Sequence, residues 1–185
     1  FDTTSFSYFV IKTFQELTKA HLSDKNKEVL TYIELQRLAW ARAKSVQHNK
    51  DTLYLDALKE LHAANSGDPS WAESGYALAN YYNILAANYN YETATEYQWY
   101  YKKALEIIDE VVKSYPKSRG ANNCLYLKDV ILRPYMSMSK ESASFPGDPF
   151  ENILSYKNSD KVFFRIIKID VDKNRDLDRK LYYDE

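Results

Sequence analysis

Two stretches decide the fold: Ala57–Pro69, ALKELHAANSGDP, and Ala104–Pro116, ALEIIDEVVKSYP. In each, an alanine is followed four positions on by a large apolar residue, three further by another apolar or small one, and five later by proline. The offset, 104 − 57 = 47 residues, holds at all four positions. Steps of four and three place side chains on one face of a helix. Proline closes the pattern because it has no N–H to donate and clashes with the preceding turn.

On either side of these stretches, four more helices are expected. Thr4-Ser5 precede Phe6, Phe9, Val10, Phe14 and Leu17, which predict a first helix ending near Leu22. Ser23-Asp24 are expected to cap a second, through Val29, Leu30, Ile33, Leu38 and Ala41, broken by Asn49-Lys50-Asp51. The third carries the Ala57 pattern and stops at Asn65-Ser66-Gly67-Asp68-Pro69. The fourth opens after Ser70 and runs past Leu78, Ala79, Tyr82 and Leu85. Thr93 or Thr95 is expected to start the fifth, through Tyr97, Tyr100 and the Ala104 pattern. The sixth starts from Lys117 or Ser118 and ends at Arg133-Pro134. Helices in succession on short links imply an antiparallel helix-hairpin array.

Ala57/Leu61/Ala64/Pro69 and Ala104/Ile108/Val111/Pro116 resemble the second helix of a tetratricopeptide repeat, and Leu78-Ala79 with Tyr82 resembles the first. Small residues let paired helices approach, which is the physical basis of that pattern. Gly75 stands where such repeats usually carry tryptophan, and about thirteen additional residues, Asn83 to Glu96, lengthen the hairpin beyond the usual ~34. A helical bundle with a coincidental echo is the alternative reading.

The composition agrees. The 185 residues are 45% hydrophobic and 28% charged, as in a globular protein, and four Gly with five Pro are too few for an open all-β fold. A net charge of −1 gives no electrostatic reason to expect nucleic acid or an anionic membrane, and no run of about 18 apolar residues spans a membrane. The lone Cys124 has no internal disulfide partner and sits on an apolar helix face, as a small core residue would. Phe1 opens the sequence without Met or a signal peptide, so a segment of a longer, exported chain is expected.

Past Pro134 the periodicity changes. Met136–Phe145 and Phe150–Tyr156 are expected as strands around the turn Pro146-Gly147-Asp148-Pro149. Lys161–Asp170 is expected as a third strand, after the turn Lys157-Asn158-Ser159-Asp160. The predicted division is residues 1–134, helical, and 135–185, a β segment. Phe145-Pro146-Gly147-Asp148-Pro149-Phe150, Ser155-Tyr156-Lys157-Asn158 and Lys161-Val162-Phe163-Phe164-Arg165-Ile166 resemble the N-terminal region of bacterial alpha-2-macroglobulin-like proteins. There a helical extension precedes the first macroglobulin-like sandwich domain. The resemblance covers about 35 residues, from Met136 to Asp170. It implies a protease-trapping protein of the periplasm or outer membrane, whose reactive residues lie on other parts of the chain.

No catalytic pattern stands out. His21, His48 and His62 lack a second ligand at the spacing of a zinc helix, and phosphate-loop, dinucleotide and nucleophile-elbow signatures are missing. Asp170, Asp172, Asn174, Asp176 and Asp178 alternate as in a calcium loop, yet Arg175 replaces the needed Gly and Leu181 the bidentate Glu, so a solvated loop is expected. The best surface candidate is the aromatic group Tyr81, Tyr82, Tyr89, Tyr91, Tyr97, Trp99, Tyr100 and Tyr101, because one helix cannot bury aromatics on every side. Within it Tyr97, Trp99, Tyr100 and Tyr101 are the candidate binding residues.

The expectation is therefore a mainly α protein with a short antiparallel β segment, not an enzyme, with no cofactor and no metal. Its partners would be other domains of its own chain, proteases or envelope proteins. The alternative is a tetratricopeptide-like envelope protein that binds glycan or peptide through its Tyr/Trp-rich face.

Overall fold

The computed structural model describes residues 5–140, 149 and 151–165. They form six α-helices: α1 (Phe6–His21), α2 (Glu28–Lys44), α3 (Lys50–Ala64), α4 (Trp71–Ala86), α5 (Tyr100–Ser114) and α6 (Arg119–Leu132). A two-stranded sheet follows, β1 (Tyr135–Lys140) with β2 (Asn152–Lys157). The chain divides into two compact units, Phe1–Arg133 and Pro134–Glu185.

Local chemistry places the helix ends. Ser5 caps α1 by accepting from the Tyr8 N–H, and Ser118 caps α6 by accepting from Ala121. After α3, Gly67 takes φ +82°, which only glycine adopts without strain, and the Asp68 N–H bonds back to the Asn65 carbonyl. The start of α2 differs from expectation. Asp24 pairs with the His21 ring at 2.8 Å instead of capping, and Asn26 accepts from the Glu28 N–H at 2.8 Å. A carboxylate three residues from a histidine has a closer partner than the helix start. The fifth helix also begins later: Thr95–Tyr97 form one 3₁₀ turn, and α5 opens only at Tyr100.

Side-chain pairs set the helix directions. His62, late in α3, meets Ser74, early in α4, while Tyr81 reaches back to Asp51 at the start of α3. Trp71 meets Tyr115 and Tyr82 meets Tyr100, so α5 also runs against α4. Arg119 and Glu73 join the starts of α6 and α4, which therefore point the same way. The result is a row of antiparallel hairpins in which α2, α4 and α6 form one layer and α4 touches α2, α3, α5 and α6.

The core is centred on α4. Its buried apolar members include Leu55, Leu58, Leu78, Leu85, Ala104, Ile108, Val111, Cys124, Leu127 and Ile131. Glycines permit the closest approaches. A Cβ on Gly120 would overlap the Ala72 carbonyl, and one on Gly75 would overlap Val111 of α5 and press on His62 of α3. Gly75 thus fills the tryptophan position of the repeat pattern because three helices converge on it. The two copies of the echo differ in burial. Ala104, Ile108 and Val111 are fully enclosed, whereas Ala57 and Leu61 are half-buried and Ala64 is exposed. Ala57 borders a gap of about 240 Å³ between α2 and α3, so the first hairpin is the looser one.

In the second unit β1 and β2 pair antiparallel, Tyr135 opposite Lys157 through Lys140 opposite Asn152. Asn158 follows at φ +54°, a left-handed conformation that asparagine tolerates. No strand forms over 161–165, where Phe163 and Phe164 are exposed. An aromatic, β-branched run is a strand only where a neighbour takes its hydrogen bonds. The Pro146-Gly147-Asp148 turn, Phe145, Phe150, the remainder of the third strand and the alternating carboxylates of 170–178 lie outside the described residues.

Candidate binding groove

The four aromatic candidates do not share one surface. Tyr100 lies between Tyr82 at 5.1 Å and Tyr97 at 5.3 Å, both edge to face, with the Lys103 ammonium 4.8 Å from its ring centre. Tyr97, Tyr100 and Tyr101 are half-buried against the core. Trp99 alone of the four is open, at 61% exposure. Of the wider aromatic group, Tyr81 and Tyr82 are buried and Tyr89 and Tyr91 exposed.

A more specific site lies on the layer of α2, α4 and α6, where these helices enclose a groove of about 460 Å³. Its lining includes the small residues Ala39 and Ala77 together with Tyr32, Tyr76 and Ile84. Asn80 of α4 and Asn123 of α6, both half-buried, line it as well. Among the described residues neither amide has a hydrogen-bond partner, though each can donate two bonds and accept two.

An arginine stands on each flanking helix. Arg42 Nε donates to Asp51 Oδ1 at 2.7 Å, and its guanidinium lies 5.3 Å from the Tyr54 ring centre and 4.9 Å from that of Tyr81. Tyr81 in turn donates its hydroxyl to Asp51 at 3.2 Å. The Arg42 bond holds Asp51 below the usual carboxylate range, and burial pushes the Tyr81 phenol up to about 12. This four-residue cluster fixes where Arg42 points. On α6, Arg119 Nε donates to Glu73 Oε1 at 3.0 Å.

Sequence reading missed these groups because single Asn and Arg residues on a helix carry no local signal. One trace was available: Ala77-Leu78-Ala79-Asn80 and Gly120-Ala121-Asn122-Asn123 repeat the order small residue to Asn at an offset of 123 − 80 = 43.

A second cleft, about 580 Å³ between α1 and α2, is lined by Ile11, Phe14, Leu22 and Trp40. Arg37 and Glu34 on its rim pair with each other, and with Gln15, Thr18 and Lys19 as its remaining polar lining the cleft is mainly apolar. Among the described residues no group of three or more His, Cys, Asp or Glu is placed to hold a metal, and no helix is long and apolar enough to cross a membrane. Comparison with known protein families, curated proteins and solved structures returns no match for this chain.

Proposed function

We propose that the chain is a non-catalytic binding segment whose helical unit holds an extended peptide along the groove of α2, α4 and α6. The observation that carries this reading is the pair of half-buried, unpartnered carboxamides of Asn80 and Asn123. An asparagine amide matches a peptide group donor for acceptor, and each hydrogen bond it makes to a ligand in place of water adds about 1 kcal/mol. Small residues in the lining, Ala39 and Ala77, leave room for a backbone. At the Arg42 end the guanidinium lies over Tyr54 and Tyr81, which takes those two rings away from a stacking sugar.

The resemblance of Met136–Asp170 extends the proposal: the chain is the N-terminal structural and interaction segment of an exported alpha-2-macroglobulin-like protease-trapping protein. The peptide then comes from another domain of the same chain, a protease or an envelope protein. What supports this is the quoted residues, together with a β1–β2 ladder of the kind a sandwich meander begins with. Further sandwich domains encoded after Glu185 are the expected finding, and their absence from the gene overturns this part alone. The alternative, glycan or peptide recognition at Tyr97, Trp99, Tyr100 and Tyr101, rests on the open Trp99 ring.

The groove is tested with an array of random octapeptides and the Asn80→Ala/Asn123→Ala double variant. Two hydrogen bonds of about 1 kcal/mol each make the expected loss tenfold or more, with unchanged circular dichroism. Binding that survives the double variant but disappears with Trp99→Ala transfers the site to the aromatic face.

A further inference from the structure

The two arginines add selectivity to the groove, a property that rests on its proposed role as a peptide site. Each guanidinium is held by its Nε alone, Arg42 by Asp51 and Arg119 by Glu73. Neither terminal nitrogen of either residue donates a hydrogen bond to any described residue. The carboxylates therefore act as anchors that set orientation and leave the planar fork, the part of arginine that matches a carboxylate bidentately, available to a ligand. Both residues line the groove, whose lining holds two guanidinium groups and a single carboxylate, Glu73. Glu73 is already engaged by Arg119, and Asp51 lies outside the lining behind Arg42.

Geometry sets the spacing. Arg42 lies over Tyr81 and Arg119 pairs with Glu73, eight residues or about 12 Å apart along α4, and they come from helices on opposite sides of it, so with about one interhelical step of 8–10 Å across, the two forks stand roughly 15 Å apart. An extended chain covers that distance in about five residues at ~3.3 Å each. Asn80 and Asn123 lie on the helices between and beside these end points, where peptide groups of such a chain would pass.

We infer that the groove selects an extended peptide bearing two acidic side chains about five residues apart, one for each arginine fork, with its backbone on Asn80 and Asn123. The arginines determine which peptides bind, and the asparagines determine that a peptide binds at all.

The test uses the whole 185-residue chain, ¹⁵N-labelled, and three pools of acetylated, amidated octapeptides of random sequence. The pools carry Glu, Gln or Lys at the second and seventh positions. Affinity is read by fluorescence anisotropy, and location by the side-chain amide signals of Asn80 and Asn123. The Glu pool is expected to bind about tenfold tighter than the Gln pool at low salt, with the gap closing at about 0.5 M salt as screening sets in. Arg119→Gln is the cleaner variant, since that side chain is 62% exposed and Arg42 also packs on two rings. It is expected to weaken the Glu pool about three- to fivefold and so to narrow its advantage over the Gln pool. Glu and Gln pools that bind alike and respond alike to Arg119→Gln overturn the acidic selectivity while the groove reading stands. If no pool moves the two asparagine signals, both readings fall.

Discussion

α1 and α4 are both 16 residues long, and they hold opposite places in the molecule. α1 has the better-made end: Ser5 caps it through a side-chain hydrogen bond, whereas Ser70 makes no such bond to α4. Yet α1 buries none of its residues and α4 buries nine. A cap contributes about 1 kcal/mol. Enclosing a single leucine contributes ~1.5–3 kcal/mol, and α4 encloses Leu78, Leu85 and two tyrosines. Burial decides which helix is rigid, and capping decides only where a helix starts. The same difference separates the two copies of the echo, since α5 is clasped by α4 and α6 while α3 faces a gap toward α2.

The largest effect expected from breaking this contrast is at Ile108, fully enclosed on α5. Ile108→Ala should cost about 3–5 kcal/mol in urea denaturation, through lost apolar transfer and the cavity left behind. A loss under ~1 kcal/mol there would mean that the core relaxes around the change. Next comes Gly120→Ala. In an open helix this exchange gains roughly 1 kcal/mol, but here the new methyl meets the Ala72 carbonyl, so a net loss of about 1–3 kcal/mol is expected. A gain would show that α4 and α6 separate freely.

A smaller effect concerns pH. His62 stacks on Trp71 at 4.5 Å and sits 3.3 Å from Ser74 Oγ, and burial lowers its pKa below the usual histidine range. Above pH ~6.5 the ring is neutral in both folded and unfolded chains. As pH falls below that value the unfolded chain takes up the proton first, so stability declines until the folded pKa is passed. His62→Gln should flatten that decline in denaturation midpoints measured between about pH 7 and pH 5, and an unchanged slope would remove His62 as its source. The smallest effect belongs to α1. Phe9→Ser, on an exposed position, should stay within ~0.5 kcal/mol, and α1 amides should exchange with solvent long before those of α4.

Helix positions were legible because their signals are local: Ser5 and Ser118 as caps, Gly67 in the turn after α3, and Pro134 after α6. Signals that depend on a distant partner were not. Ser23-Asp24 read as a cap, but His21 claims Asp24. Lys161–Arg165 has the composition of a strand without a ladder. The aromatic group was visible as composition only. Tyr81 and Tyr82 are adjacent in sequence yet about 100° apart around α4, so one reaches Asp51 and the other Tyr100. The groove was hidden for the same reason, since Asn80, Asn123, Arg42 and Arg119 come together only when α2, α4 and α6 lie side by side.

Cys124 gives the molecule its own clock. The thiol is fully enclosed, and burial pushes its pKa up to about 12, so at neutral pH it is neither reached by a reagent nor ionised for one. A disulfide-exchange dye can therefore react only during moments when α6 lifts away from α4 and α5. With reagent in excess, the rate of colour formation counts those openings directly, and a groove ligand that clamps α4 to α6 slows it.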